Sequence, residues 1–289
     1  MRKEYKLSRL ISTPLFSLLF LLCCYRPACA QQEPLGCVLI YGDTQGPNHL
    51  DHQKIVSSMM ESNPAIVFHT GDCVRYGYKP GDWEIFNTIT SSLRSKALFY
   101  PAVGNHDVKK ESKLFFDNFE LPNNEGWYTV DYGSIRFIIL NSEDNLRKGS
   151  KQHKWFEAEL AKTGGDIKFI VAIWHHSPFH SGEKKPEFEK IRKEIASDVI
   201  PLLEKYKVDI VFSGHKHFYE RLEKNGVIYV VTGGGGGILS DVVSIDPNSK
   251  VREIQHHFCR LTVSDNKMNI DVFNADLNII DRFSVVSRR

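Results

Sequence analysis

The 289-residue sequence has no Cys-x-x-Cys pair, so a thiolate zinc site of the usual spacing is not expected. It has no second long apolar run after the one near its start, so stable membrane insertion is not expected of the rest of the chain. It has no large charge of either sign: 37 Lys and Arg stand against 35 Asp and Glu. That balance gives no general electrostatic reason to bind nucleic acid or anionic lipid. Internal repeats and linkers are absent. The one low-complexity tract is Gly233–Gly237. "TGGGGG" lacks the Lys-Ser/Thr of a phosphate-binding P-loop and the spacing of a dinucleotide loop, so it reads as a flexible turn.

The N-terminus carries Arg2, Lys3, Lys6 and Arg9, then the apolar run Leu15 to Tyr25, then Ala28-Cys29-Ala30. These are the three parts of an export signal, and the apolar run is too short to span a bilayer. Cleavage after Ala30 is expected. That leaves residues 31–289 as one large domain, exported to the periplasm or secreted. The mature chain then has 32 basic residues against 34 acidic ones. Cys37, Cys73 and Cys259 remain. Export permits disulfides, but an odd count leaves at least one thiol free or joined to another chain.

Apolar runs alternate with amphipathic stretches. Strands are predicted at 37–43, 65–72, within 97–107, at 167–176, 209–215 and 226–233. Helices are predicted at 49–62, 82–95, 151–163 and 187–206, the last with Pro201 inside it. Residues 126–142 read as a hairpin turning at Tyr132-Gly133-Ser134, and 251–286 as strands. Strands alternating with helices imply an α/β layered fold.

Five of the apolar runs end on residues that can bind a metal. The first ends on Asp43, the second on Asp72, and the third on Asn105 followed by His106. The fourth ends on His175 and His176, and the fifth on His215 with His217. In open α/β sheets the ligand site lies beyond the carboxyl ends of the strands. Two carboxylates, an amide oxygen and three or four imidazoles therefore meet at one edge, and a pair of metal ions is the natural occupant. Two divalent ions about 3.5–4 Å apart can clamp a phosphate and generate hydroxide near neutral pH. Mixed nitrogen and oxygen ligands without thiolate suit zinc, manganese or iron better than calcium.

"GD…GD…GNHD…H…GHxH" resembles the signature of the calcineurin-like metallophosphoesterase superfamily. "GWYTVDYGSIRFIILNS", "QHKWFEAEL" and "DIVFSGHKHFYER" resemble its purple-acid-phosphatase-like branch. The resemblance implies a four-layer αββα sandwich: two packed mixed β-sheets flanked by helices. It implies a dinuclear hydrolase of phosphate esters, with a metal-bridging hydroxide as nucleophile. Asp43 and His217 would bind one metal, Asp72 would bridge, and Asn105, His176 and His215 would bind the other. His106 would face the leaving group, and Asp107 would orient His106. His176 is preferred to His175 because it lies two residues before Pro178. A phosphodiesterase or nucleotidase would use the same site with different pocket walls. A non-catalytic binding protein on this scaffold would have no physical need for His106 beside Asn105.

Two positions depart from the pattern. Gln45 stands where many members have histidine, and is expected to coordinate through its amide oxygen. Arg75 stands where the coloured enzymes have a metal-binding tyrosine, with Tyr76 one residue later, so a ferric–tyrosinate pair is not expected. Outside the ligand set, His175 reads as a packed or supporting imidazole and His69 as a buried one. His180 reads as a substrate contact or a solvated residue. His256 and His257 read as surface or strand residues.

Overall fold

A computed structural model describes residues 36–110, 113–124, 126–162 and 164–289. The expected leader, residues 1–30, and its cleavage site lie outside the described residues. Among the described residues, no helix is long and apolar enough to cross a membrane.

The chain begins with β1 (Cys37–Tyr41), α1 (Leu50–Met60), β2 (Pro64–His69), α2 (Pro80–Arg94), β3 (Leu98–Pro101) and α3 (Lys113–Asn118). The hairpin β4 (Tyr128–Tyr132) and β5 (Ile135–Ile139) precedes α4 (Lys151–Ala161), β6 (Phe169–His176), α5 (Glu189–Glu194), α6 (Ile200–Lys205) and β7 (Ile210–Gly214). It continues with β8 (Tyr219–Lys224), β9 (Val227–Thr232), β10 (Ser249–Glu253), β11 (His257–Ser264), β12 (Lys267–Asn274) and β13 (Ile279–Val286). One sheet has the order β13-β12-β11-β1-β2-β3, and the other β10-β8-β9-β7-β6-β5-β4. Both are mixed. β1, β2 and β3 run parallel, as do β5, β6, β7 and β9, while antiparallel strands complete each sheet.

Strand alternation decides the layers. Val38, Ile40, Ile66 and Phe68 of the first sheet meet Phe137, Ile139, Val171, Ile173 and Phe212 of the second in one buried cluster. The intervening residues face outward. Leu39, Tyr41 and Val67 pack with Ile55, Met59 and Leu93 of α1 and α2. Ile138, Ile170, Ala172 and Trp174 pack with Phe156 and Leu160 of α4 and Leu203 of α6. The result is the expected αββα sandwich.

The helix predicted at 187–206 is not continuous. A π-helical turn over Ile195–Val199 separates α5 from α6. Pro201 lacks an N–H and its ring crowds the carbonyl four residues back, which is Ser197, inside that turn. Two elements, α3 and β8, escaped prediction. β8 carries charges at Glu220, Arg221, Glu223 and Lys224, and ties the sheets together at their rim. Tyr219 donates its hydroxyl to Asp281 of β13 at 2.7 Å, and Arg221 pairs with the same carboxylate at 2.7 Å. Cys37, Cys73 and Cys259 are all free thiols, the last two buried.

Asp209, just before β7, has a fully buried side chain that accepts from Ile170 N at 2.9 Å and pairs with Arg289 at 2.6 Å and Arg288 at 3.3 Å. Replacing both arginines by alanine leaves a buried carboxylate without a cation, which should cost about 3 kcal/mol. The denaturation midpoint of the double variant measures the loss. Adding Asp209→Asn to that variant removes the stranded charge and should recover part of it.

Candidate metal centre

Asp43, Asp72 and His215 each follow a strand closely and each adopt a left-handed backbone, with φ of 59°, 58° and 68°. Asp and His tolerate this conformation better than most residues, though at some cost. The reversal turns each side chain from its strand toward the seam between the sheets. His215 and His217 are not alternate residues of one strand: β7 ends at Gly214, and the left-handed His215 follows. Gly214 is required by contact. A Cβ there would lie 2.2 Å from Asp43 Oδ2.

The first strand-end turn is fastened to the second. Thr44 N donates to Asp72 O at 3.0 Å and Thr44 Oγ1 to Cys73 O at 2.7 Å. The third is fastened to the second through Asp107. Its carboxylate accepts from Asp72 N at 2.8 Å, Gly104 N at 3.0 Å and Val74 N at 3.2 Å. Asp107 therefore does not orient the His106 ring. That ring is held by Nδ1 donating to the Arg75 carbonyl at 2.8 Å, which leaves Nε2 for the cavity.

The seven expected ligand residues all meet at this edge. His215 N lies 3.0 Å from both Asp43 oxygens, and His217 Nε2 lies 3.3 Å from Asp43 Oδ1. Asp72 Oδ1 accepts from His106 N at 2.8 Å, and Asp72 Oδ2 accepts from Gln45 Nε2 at 2.9 Å. Asn105 Oδ1 lies 3.2 Å from His215 Nδ1, and the rings of His176 and His215 are 4.4 Å apart. Gln45 presents its nitrogen to Asp72 and His217, while its buried Oε1 has no partner. A half-turn of the amide would place the oxygen there.

Two residues matter more than their sequence context suggested. His175 is fully buried at the hub, with Nδ1 3.0 Å from Thr70 O and Nε2 3.1 Å from Asn105 Oδ1 and 3.3 Å from Asp72 Oδ2. It belongs to both compact donor groups, His175–His176–His215 and Asp43–Asp72–His175. Burial alone would lower its pKa, but the Asp72 carboxylate raises it to about 10. Burial would likewise raise the Asp72 carboxyl, yet the His175 ring holds it below the ordinary range. The second is Glu143, whose Oε1 lies 2.8 Å from His176 Nδ1, beside Ser142 Oγ at 3.1 Å. It follows the apolar end of β5, so the strand-end rule applied once more would have found it.

The donor set fits metal ions. His176 Nε2 is buried without a partner, while Nδ1 is taken by Ser142. His217 Nδ1 donates to Ile238 O at 2.6 Å, so its Nε2 lone pair faces the Asp43 carboxylate. An imidazole lone pair opposite a carboxylate needs a proton or a cation between them. A ring fixed by its other nitrogen is the usual support for a metal-binding histidine.

An open cavity of about 600 Å³ lies over the site, lined by His106, Lys109, Phe188, Lys216 and Leu239 among others. His180 does not line it. That ring is buried and drawn down to about 3, chiefly by burial. His69 is buried as expected, and His257 is a buried residue of β11.

Residues 38–219 match the calcineurin-like phosphoesterase family. The chain belongs to that family. Curated relatives include the probable inactive purple acid phosphatase 1 of Arabidopsis thaliana, 26% identical over 85% of this chain and 46% of that protein. Purple acid phosphatase 15 of the same plant is 29% identical over 68% of this chain and 43% of its own length. The chain thus spans about half the length of the curated family members it matches. The structure of a purple acid phosphatase from yellow lupin seeds shares the family fold, with a TM-score of 0.78, 24% identity, and coverage of 88% of this chain and 54% of that one.

Asp107→Ala would leave three buried N–H groups without an acceptor, at about 1–3 kcal/mol each before relaxation. Equilibrium unfolding should show a loss of at least about 3 kcal/mol. Asp107→Asn keeps one oxygen and should lose less. Equal losses from the two would show that the carboxylate's bonds to the turn are not what stabilises it.

Proposed function

We propose that the chain hydrolyses phosphate monoesters with two transition-metal ions, zinc, manganese or iron, and that the leader at residues 1–30 exports it to the periplasm or beyond the cell. The observation that carries this reading is the burial of Asp43 and Asp72 among imidazoles and amides at one strand edge, beneath a cavity with His106 on its wall. Asp43, His217 and a rotated Gln45 would hold one ion, and Asn105, His176 and His215 the other. Asp72 would bridge. When bound, such ions polarise a phosphoryl group and make water nucleophilic near neutral pH.

The chain's own residues do the rest. The carbonyl of Ile238 and the hydroxyl of Ser142 hold the rings of His217 and His176 in place. His106 offers Nε2 to the cavity and, when protonated, gives that proton to the leaving oxygen as the phosphorus–oxygen bond breaks. A non-catalytic role, which the names of three relatives suggest for those proteins, is disfavoured by the same residues. A binding protein has no use for an imidazole poised beside Asn105.

The purified mature chain should hold about two transition-metal ions, by analogy with two-metal phosphatase sites. Elemental analysis giving under half an equivalent in active protein would rule this out. Asp72→Ala should empty both sites, and Asn105→Ala chiefly one. His106→Ala should keep its metal yet lose about 100- to 10,000-fold in kcat on alkyl phosphates, and less on an activated aryl phosphate. Loss of metal from that variant would make His106 a ligand instead. Iron-loaded protein should lack a strong visible charge-transfer band. A band abolished by Tyr76→Phe would place that phenolate on the iron.

A further inference from the structure

Beside His106 the surface carries four cations arranged around two tyrosines. Lys79 Nζ lies 4.2 Å from the Tyr76 ring centre, with the Arg75 guanidinium at 5.4 Å and Lys109 Nζ at 5.8 Å. Lys110 Nζ lies 4.1 Å from the Tyr78 ring, and the two tyrosine rings are 5.9 Å apart. Among the described residues, none of the four cations is paired with a carboxylate. Of the acids close in sequence, Asp82 is engaged by the Tyr76 N–H at 2.9 Å and Asp107 by the amides of Asp72, Val74 and Gly104, while Glu111, next to Lys110, lies outside the described residues.

This strip is continuous with the site. Lys109 lines the cavity, the Arg75 carbonyl holds the His106 ring, and Gly77 N donates to His106 O at 2.9 Å. The positive end of α2, which begins at Pro80, adds to the field there. Acids that line the cavity, Glu183, Glu187 and Asp241, come from other segments, together with Lys185 and Lys216. A leaving oxygen protonated by His106 must depart past His106, and what is attached to it then meets the strip. Lysines without a carboxylate partner among the described residues, beside a phosphate-handling site, are poorly placed for an apolar alcohol and well placed for further phosphates.

Resting on the phosphatase reading above, we infer that Arg75, Lys79, Lys109 and Lys110 bind the leaving portion of the substrate, and that this portion carries additional phosphate groups. The favoured reaction is hydrolysis of a terminal phosphoryl group. Water supplies the new oxygen on phosphorus, the bond to the polyphosphate oxygen breaks, and that oxygen leaves with a proton or as its anion.

Adenine nucleotides test this, because ATP, ADP and AMP share the same nucleoside. With metal-loaded full-length protein, kcat/KM should rise from AMP to ATP by about 10-fold or more, the low end of what a patch of one sign adds to encounter. The ATP/AMP ratio should fall toward unity in a Lys79→Ala/Lys109→Ala/Lys110→Ala variant of unchanged metal content. Added salt should likewise erode the ratio in the parent and scarcely move it in the variant. A parent ratio near unity, or the same ratio in parent and variant, overturns the assignment. If neither the nucleotides nor p-nitrophenyl phosphate is hydrolysed, the phosphatase reading fails. The strip is then judged by calorimetric affinities for ATP and AMP, with the same expected ratio in the parent and its loss in the variant.

Discussion

Asp43 and Asp72 are almost wholly withdrawn from solvent, and neither is paired with a lysine or arginine among the described residues. Burying two carboxylates together is costly in any protein, because each loses hydration and each repels the other. Much of the surrounding structure answers that cost. The main-chain N–H groups of His215 and His106 point at the two carboxylates. His217 and His175 stand against them through ring nitrogens. Asp107, itself buried, has its pKa driven upward chiefly by burial and then by Asp72, and its oxygens are consumed by the amides of the adjoining turns. The donor set around the two carboxylates fits a metal ion, as the calcineurin-like phosphoesterase family implies.

The backbone bears part of the cost. Three residues of the centre sit in the left-handed region, where a side chain is disfavoured, and all three come at the carboxyl ends of parallel strands. Strand geometry alone would send alternate residues to opposite faces. The left-handed turns deliver them to one seam. The same turns demand glycines such as Gly214, where even a methyl group would strike Asp43.

The layers were legible in sequence because strands buried on both faces read as apolar runs, as in "CVLIY" and "FIVAIW". Most of the candidate ligand residues were legible because they end such a run or follow its end closely. β8 was not, since Arg221 and Glu223 make it look like surface. Its charges answer to Asp281, some sixty residues later in the chain. The part played by Asp107 was hidden for a similar reason: its partners are main-chain amides, which no residue pattern records. The distance to Pro178 favoured His176 over His175 as a ligand, yet the structure gives both a place at the centre, His175 at its hub and His176 at its side.

The antiparallel pairing of β1 with β11 also governs when the centre can exist. Val38 pairs with Leu261, so the strand that carries Asp43 has one edge open until Leu261 has been made. At about 5–20 residues per second, a ribosome separates the two strands by roughly 10–45 s. Over that interval β1, β2 and β3 can associate with α1 and α2, while Val38, Ile40, Ile66 and Phe68 still lack the opposing sheet. An exposed apolar face and an unpaired strand edge are the features by which incomplete chains associate wrongly. Asp43 and Asp72 are in reach of each other early, but His215 and His217 join them only after β7 has docked, so the candidate metal centre is assembled late in folding.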